Sequence, residues 1–91
     1  MEIIDYLANK LSEKINISPA ASRGLIKLAI KDEFGPFKPL NQLDYLDFKK
    51  VFLNSFQNRL VKLEVKDVKG MVDFLVFELT TNQSLITIGG I

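Results

Sequence analysis

The chain contains no cysteine and no histidine. Without cysteine it has no disulfide framework and no thiolate that could serve as a nucleophile or a metal ligand. Without histidine it lacks the commonest general acid or base and the commonest metal ligand. The phosphate-cradling pattern G-x-x-x-x-G-K-[ST] and the nucleophile pattern G-x-S-x-G do not occur either. We therefore predict a protein that is not an enzyme and that has no catalytic residues, metal site or cofactor.

An excess of either charge and a long hydrophobic run are also missing. Twelve Lys and Arg stand against eleven Asp and Glu, so the net charge is +1, and binding to nucleic acid or to an anionic membrane would depend on a local patch. No run of about 18 apolar residues occurs that could form a spanning helix. The first residues carry Glu2 and Asp5, which is atypical of a secretory signal. We expect a cytoplasmic protein with no membrane partner.

The chain is rich in apolar residues. Of its 91 residues 47% are hydrophobic, and seven are phenylalanine. This composition is typical of a folded chain with an apolar core. The length is that of one domain, so we predict a single globular domain over residues 1–91.

The best-defined local pattern begins at Leu43. Asp44 is placed to act as an N-cap and Asp47 to complete a capping box, while Leu43 and Phe48 occupy the two positions of a hydrophobic staple. Apolar residues then recur at steps of three and four: Phe48, Val51, Phe52, Phe56, Leu60 and Leu63. This spacing predicts a helix that turns one apolar face to the core.

Two helices are predicted before it. Residues 2–15 place Ile4, Leu7, Ala8, Leu11 and Ile15 on one stripe. Ser18-Pro19 is a start signal and Gly35-Pro36 a stop signal, which predicts a second helix over residues 19–34. Its apolar residues spread around more than half of the circumference: Leu25, Ile26, Leu28, Ala29 and Ile30. We therefore expect the second helix to be more buried than the first.

Gly24 lies in the middle of this second helix, where glycine costs about 1 kcal/mol relative to alanine. Two interpretations stay open. The favoured one is the close approach of another helix of the same chain; the other is a ligand, or a nucleic-acid backbone, lying against bare main chain. The following stretch, residues 34–43, holds two prolines and several large apolar residues. It is predicted to be a packed loop that either closes the core or forms a partner-binding lip around Phe34 and Phe37.

The fold class depends on residues 61–81. A helical period places Val68, Met71, Val72, Leu75, Val76 and Leu79 on one stripe behind a capping Asp67. A strand period alternates Val61, Leu63 and Val65 with charged residues, as in a hairpin. We favour the helix and predict an all-α, compact four-helix domain with a short extended C-terminal tail over residues 85–88. The alternative is an α+β domain, three helices followed by a β-hairpin or meander, which would be winged-helix-like.

For function we favour a small protein-interaction or accessory subunit. It would self-associate as a homodimer or dock on a larger complex through apolar surface. The candidate partner-binding residues are the apolar side chains that a thin core does not obviously need: Phe34, Phe37, Phe74, Phe77, Leu85, Ile86 and Ile88.

The alternative function is nucleic-acid binding by a winged-helix-like domain. Arg23, Lys27 and Lys31 follow one another at four-residue steps on the second helix. A track of phosphate contacts would explain this spacing, but the favoured interpretation is an ordinary solvated face with acidic residues nearby. The third helix adds further basic candidates on the side opposite its phenylalanines: Lys49, Lys50 and Arg59.

Overall fold

Every regular element in the described part of the chain is a helix. The computed structural model describes residues 2–90, with side-chain surroundings for residues 2–86. In chain order the elements are α1 (Glu2–Ile15), α2 (Pro19–Phe34), a 3₁₀ turn (Leu40–Gln42), α3 (Tyr45–Val51), a π-helical segment (Phe52–Phe56), α4 (Gln57–Lys62), α5 (Val68–Thr81) and α6 (Gln83–Gly90). The predicted all-α class is confirmed. The winged-helix-like alternative is wrong, because residues 68–81 form α5 and no strand occurs among the described residues.

Side-chain caps fix where the helices begin. The Ser18 hydroxyl accepts a hydrogen bond from the Ala21 amide at 3.0 Å and opens α2. Asp44 and Asp47 form the predicted capping box, in which each carboxylate accepts from the other residue's amide, at 2.8 and 3.1 Å. The two interactions satisfy amide groups that the first helical turn cannot pair internally. The predicted starts of α2 and α3 are therefore confirmed, and so are the side-chain caps from which they were predicted.

The π-helical segment joins α3 to α4 in one continuous helical path. The side chains of Phe48, Phe52, Phe56 and Leu60, at a constant spacing of four, are all fully buried. In a regular α-helix each such step would turn the side chain about 40° further around the axis. A π turn closes its hydrogen bonds over one residue more than an α turn, which offsets that drift and keeps the four side chains on the core face.

One hydrophobic core is shared by residues of α1, α2, α3, the π-helical segment, α4, α5 and α6. Helix α1 packs against α2, α5 and α6, and α2 also packs against the π-helical segment. Phe52 and Phe56 meet edge to face, with ring centroids 5.1 Å apart. Helices α2 and α5 thus contact both α1 and the path formed by α3, the π-helical segment and α4.

The C-terminal prediction is corrected by the structure. Residues 85–88, expected to be an extended tail, lie within α6. Ile86 is buried in the core and Leu85 packs against it, while α6 contacts α1. This tertiary packing outweighs the modest helix propensity of a segment rich in isoleucine, threonine and glycine.

Two expectations about burial were also wrong. Leu63, placed on the apolar stripe, is 59% exposed, because α4 ends at Lys62 and Glu64 takes a left-handed conformation (φ 58°) that turns the chain away. Helix α2 is not more buried than α1. Its core face holds Ser22, Ile26, Ala29 and Ile30, whereas Leu25 is only half-buried and Leu28 is 44% exposed. Part of its apolar arc therefore faces away from the core.

Candidate functional site

The apolar arc that α2 leaves uncovered forms one wall of a groove of about 440 Å³, which we call the α2 groove. The other wall comes from the end of α4. The lining residues are Ile17, Ala21, Gly24, Leu25, Leu28, Arg59, Lys62 and Leu63. Six of these eight residues are apolar, so the groove offers a hydrophobic surface with charge at one side.

Gly24 lies in the wall of the α2 groove. A β-carbon added to Gly24 would meet no atom within 4 Å, apart from its chain neighbours and the backbone of its own helix. The favoured interpretation, close approach of another helix of this chain, is therefore wrong for the described residues. Because glycine has no side chain, the α2 backbone is open to the groove at this point. The other interpretation, a molecule lying against bare main chain, stays a prediction.

Leu28 and Leu63 are the two exposed large apolar side chains among the residues that line the groove. Their exposed fractions are 44% and 59%. Single exposed leucines are common on protein surfaces, but two that line the same concavity form a continuous patch. Burying a leucine side chain contributes about 1.5–3 kcal/mol, so covering this patch would stabilise a complex appreciably.

The charged side of the groove is held in place by an ion pair between α4 and α2. Arg59 donates two hydrogen bonds to Asp32, from Nε to Oδ2 at 2.6 Å and from Nη2 to Oδ1 at 3.0 Å. These bonds hold the pKa of Asp32 below its usual value and, reciprocally, raise the pKa of Arg59. The guanidinium plane is thereby fixed beside Lys62.

A polar cleft of about 310 Å³ shares this side. It is lined by Asp32, Ser55, Asn58, Arg59 and Lys62. Arg59 and Lys62 line both spaces, so they stand between the hydrophobic groove and the polar cleft. A molecule in the groove would meet apolar surface on one side and hydrogen-bonding groups on the other.

The predicted partner-binding residues lie elsewhere. Phe34 is half-buried beneath the ammonium groups of Lys38 and Lys50, which sit 5.4 and 5.8 Å from its ring centroid. Phe37 is 91% exposed in the loop that follows α2, so the expectation that it would be packed in the loop is wrong. No residue of this pair lines the α2 groove.

The remaining candidates lie on α5 and α6. Phe74 is half-buried, with the Lys14 ammonium 4.7 Å from its ring centroid, and Phe77 is 65% exposed. Leu85 is half-buried, and Ile86 is a core residue, so its side chain does not form part of a free surface. The side chain of Ile88 lies outside the described residues. Thus Phe37 and Phe77 are the most exposed of the predicted residues whose side chains the structure describes, and they lie on separate elements.

The predicted nucleic-acid candidates are partly paired with acids. Three lie within ion-pair distance of a carboxylate: Arg23 with Asp5 at 3.8 Å, Lys50 with Glu33 at 4.0 Å, and Arg59 with Asp32 at 2.6 Å. Lys27 and Lys31 line a pocket of about 260 Å³ beside the loop that follows α2. Lys49 is half-buried on α3. Of the six, Arg59 is the one that borders the α2 groove.

The described residues contain no cluster of three or more potential acidic, histidine or cysteine metal ligands. None of the helices searched in that part of the chain is both long and apolar enough to cross a membrane.

Comparison of the chain with protein-family models, with curated proteins and with solved structures found no match. The α2 groove is therefore the candidate site on physical grounds. The sequence contains one signal for it, the wide apolar arc of α2 around Gly24.

Proposed function

We propose that this chain is a non-catalytic, cytoplasmic protein-interaction domain that binds an amphipathic helix of a partner protein in the α2 groove. The observation that carries the proposal is the hydrophobic groove around the uncovered backbone of Gly24. The partner helix covers Leu28 and Leu63, which the fold of this chain leaves exposed.

A helix suits the shape of this surface. From Ala21 to Leu28 the wall formed by α2 extends for about 10 Å, the length of two helical turns. A partner helix would bind such a groove through apolar side chains at positions i, i+4 and i+7. Without a β-carbon at Gly24, an apolar side chain of the partner can reach the main chain of α2 at the middle of the contact.

The size of the groove favours a transient complex. The groove exposes two large apolar side chains, Leu28 and Leu63. An obligate interface buries a much larger apolar area, comparable in composition with a protein core. We therefore expect an affinity of about 1 μM, in the range of reversible regulatory contacts.

The test is selection from a displayed library of amphipathic helical peptides against the whole chain, followed by measurement of each selected peptide on two variants. Gly24→Leu places a bulky side chain in the groove. Ala20→Leu adds the same side chain one turn earlier on α2, at an exposed position outside the groove. We expect Gly24→Leu to weaken binding by about tenfold or more and Ala20→Leu to leave it within about twofold.

Two results would overturn the proposal. One is that no selected peptide distinguishes Gly24→Leu from Ala20→Leu. The other is found by sedimentation of the chain alone: a dimer that Gly24→Leu dissociates and Ala20→Leu preserves would assign the groove to a second copy of this chain. Thermal unfolding of both variants, followed by circular dichroism, shows that the fold is retained.

A further inference from the structure

The charged side chains that line the α2 groove are all basic. They are Arg59 and Lys62, both on α4 and both on the same side of the groove. On a chain with a net charge of +1 this one-sided arrangement is local and does not follow from the overall composition. It indicates which charge a bound partner would present at this edge.

Arg59 and Lys62 differ in whether their side-chain N–H groups already bind an acid of this chain. Arg59 directs Nε and Nη2 at the Asp32 carboxylate, which leaves other N–H donors of its guanidinium free for a second acceptor. Lys62 forms no ion pair within 4.0 Å in the described part of the chain, and it lines the cleft, where its positive charge helps to lower the pKa of Asp32. The one acid that borders the cleft, Asp32, is already held by Arg59.

Asn58 adds an uncharged donor to the same place. It lines the polar cleft together with Arg59 and Lys62. A carboxylate that entered from the groove would therefore meet an ammonium, a guanidinium edge and an amide within one cleft of about 310 Å³, beside the Asp32 carboxylate that Arg59 already neutralises. Such an arrangement suits an acceptor with two oxygen atoms and disfavours a cation.

We infer that the partner helix is acidic on one flank: an Asp or Glu next to its apolar anchors places its carboxylate on Lys62, beside Arg59 and Asn58. This inference rests on the proposed function, since it adds a charge requirement to the helix that the α2 groove binds. A basic flank in the same position would face Lys62 at close range and would be repelled.

The experiment uses one selected helical peptide in three versions, with Glu, Gln or Lys at the positions that flank the apolar anchors. Each version is titrated against the unmodified chain and against Lys62→Glu and Lys66→Glu. The two variants change the net charge equally, but Lys66 does not line the groove. Comparison of the two therefore separates a local contact from the overall field of the protein.

We expect the Glu version to bind the unmodified chain about two- to fivefold more tightly than the Gln version, as is usual for an exposed ion pair. Lys62→Glu should reverse the order, so that the Lys version binds best, and Lys66→Glu should preserve it. The preference should shrink in about 1 M salt, where the screening length falls to about 3 Å.

The outcomes separate the two proposals. If the Gln version binds in a manner sensitive to Gly24→Leu, yet Glu gives no gain or Lys62→Glu causes no reversal, the inference fails and the proposed function stands. If none of the three versions is sensitive to Gly24→Leu, the proposed function fails, and the inference fails with it.

Discussion

Tyr6 on α1 donates a hydrogen bond from its hydroxyl to the Glu78 carboxylate on α5, with 2.5 Å between the two oxygen atoms. The bond joins residues 72 positions apart, and it lies at the partly buried edge of the α1–α5 contact. It raises the pKa of Tyr6, first because the protonated hydroxyl is the donor, and further through burial and the negative charge of Glu78.

Alkaline titration tests this bond directly. The chain has two tyrosines and no tryptophan, so the absorbance of tyrosinate in a Tyr45→Phe variant reports Tyr6 alone. We expect a midpoint above the ordinary value of 10.0, and a fall toward that value when Glu78→Gln is added. An unchanged midpoint in the double variant would contradict the role of Glu78.

The sign of the effect on stability follows from the raised pKa. Because the folded chain holds the Tyr6 proton more tightly than the unfolded chain, the bond contributes its full stabilisation below the unfolded pKa of 10.0. That contribution is lost as the pH rises through the folded pKa. Unfolding measured by circular dichroism over this range should therefore depend less on pH in Tyr6→Phe than in the unmodified chain.

Gly24 in the middle of α2 and Gly70 in the first turn of α5 should respond in different ways to alanine. Gly24→Ala is expected to raise the free energy of unfolding by about 1 kcal/mol, since the new β-carbon meets open space. In Gly70→Ala the new β-carbon would come within 2.7 Å of the Asp67 Cγ atom, and Asp67 caps α5 by accepting from the Gly70 amide at 3.2 Å. The displaced cap costs about 1 kcal/mol and offsets the gain in helix propensity.

Denaturant unfolding of Gly24→Ala and Gly70→Ala, measured side by side, provides the check. Equal gains at both positions would show that the Asp67 cap adjusts without loss.

Ser22 is the one described side chain whose buried oxygen has no hydrogen-bond partner. Ser22→Ala should stabilise the fold by about 1 kcal/mol, because it removes an unsatisfied hydroxyl from the core face of α2 and favours the helix. Ser55→Ala is the matched control, since the Ser55 hydroxyl donates to Glu33 at 2.7 Å and its removal should lower stability by about 1 kcal/mol. Thermal unfolding that ranks the two variants in the reverse order would disprove this account.

Deleting Asn54 should be tolerated better than deleting Asn9, although both residues are exposed on helices. Asn54 lies in the π-helical segment, so its loss lets the chain close a regular α-helix with Phe56 and Leu60 still on the core face. Loss of Asn9 from α1 turns Leu11 by about 100° out of the core, at a cost of about 2–5 kcal/mol. Midpoints of urea unfolding measure the difference, and comparable losses would contradict it.

The sequence predicted the helix starts because the caps of α2, α3 and α5 are local: each depends on residues three positions apart. Burial was less predictable. Helix α2 carries more apolar residues than its contacts cover, and a sequence pattern cannot say which part of a wide apolar arc faces the core.

The conformation of the C-terminal segment was not predictable from the sequence for a related reason. The helicity of α6 depends on its packing with α1, a contact between opposite ends of the chain. The α2 groove was unpredictable for the same reason. Leu63 lines it because the chain turns at the end of α4, and the apolar pattern of the sequence did not predict this turn. A periodic pattern of apolar residues cannot predict either contact, because it describes only residues that are close together in the chain.

The π-helical segment has a consequence for how the length of this protein can change in evolution. Phe52–Phe56 already holds one residue more per turn than a regular helix, while its phenylalanines stay in the core. A lineage could lose a single residue there without reorienting the rest of the helix. In alignments of homologous chains, a one-residue gap is therefore expected within residues 52–56 and not within α1 or α5.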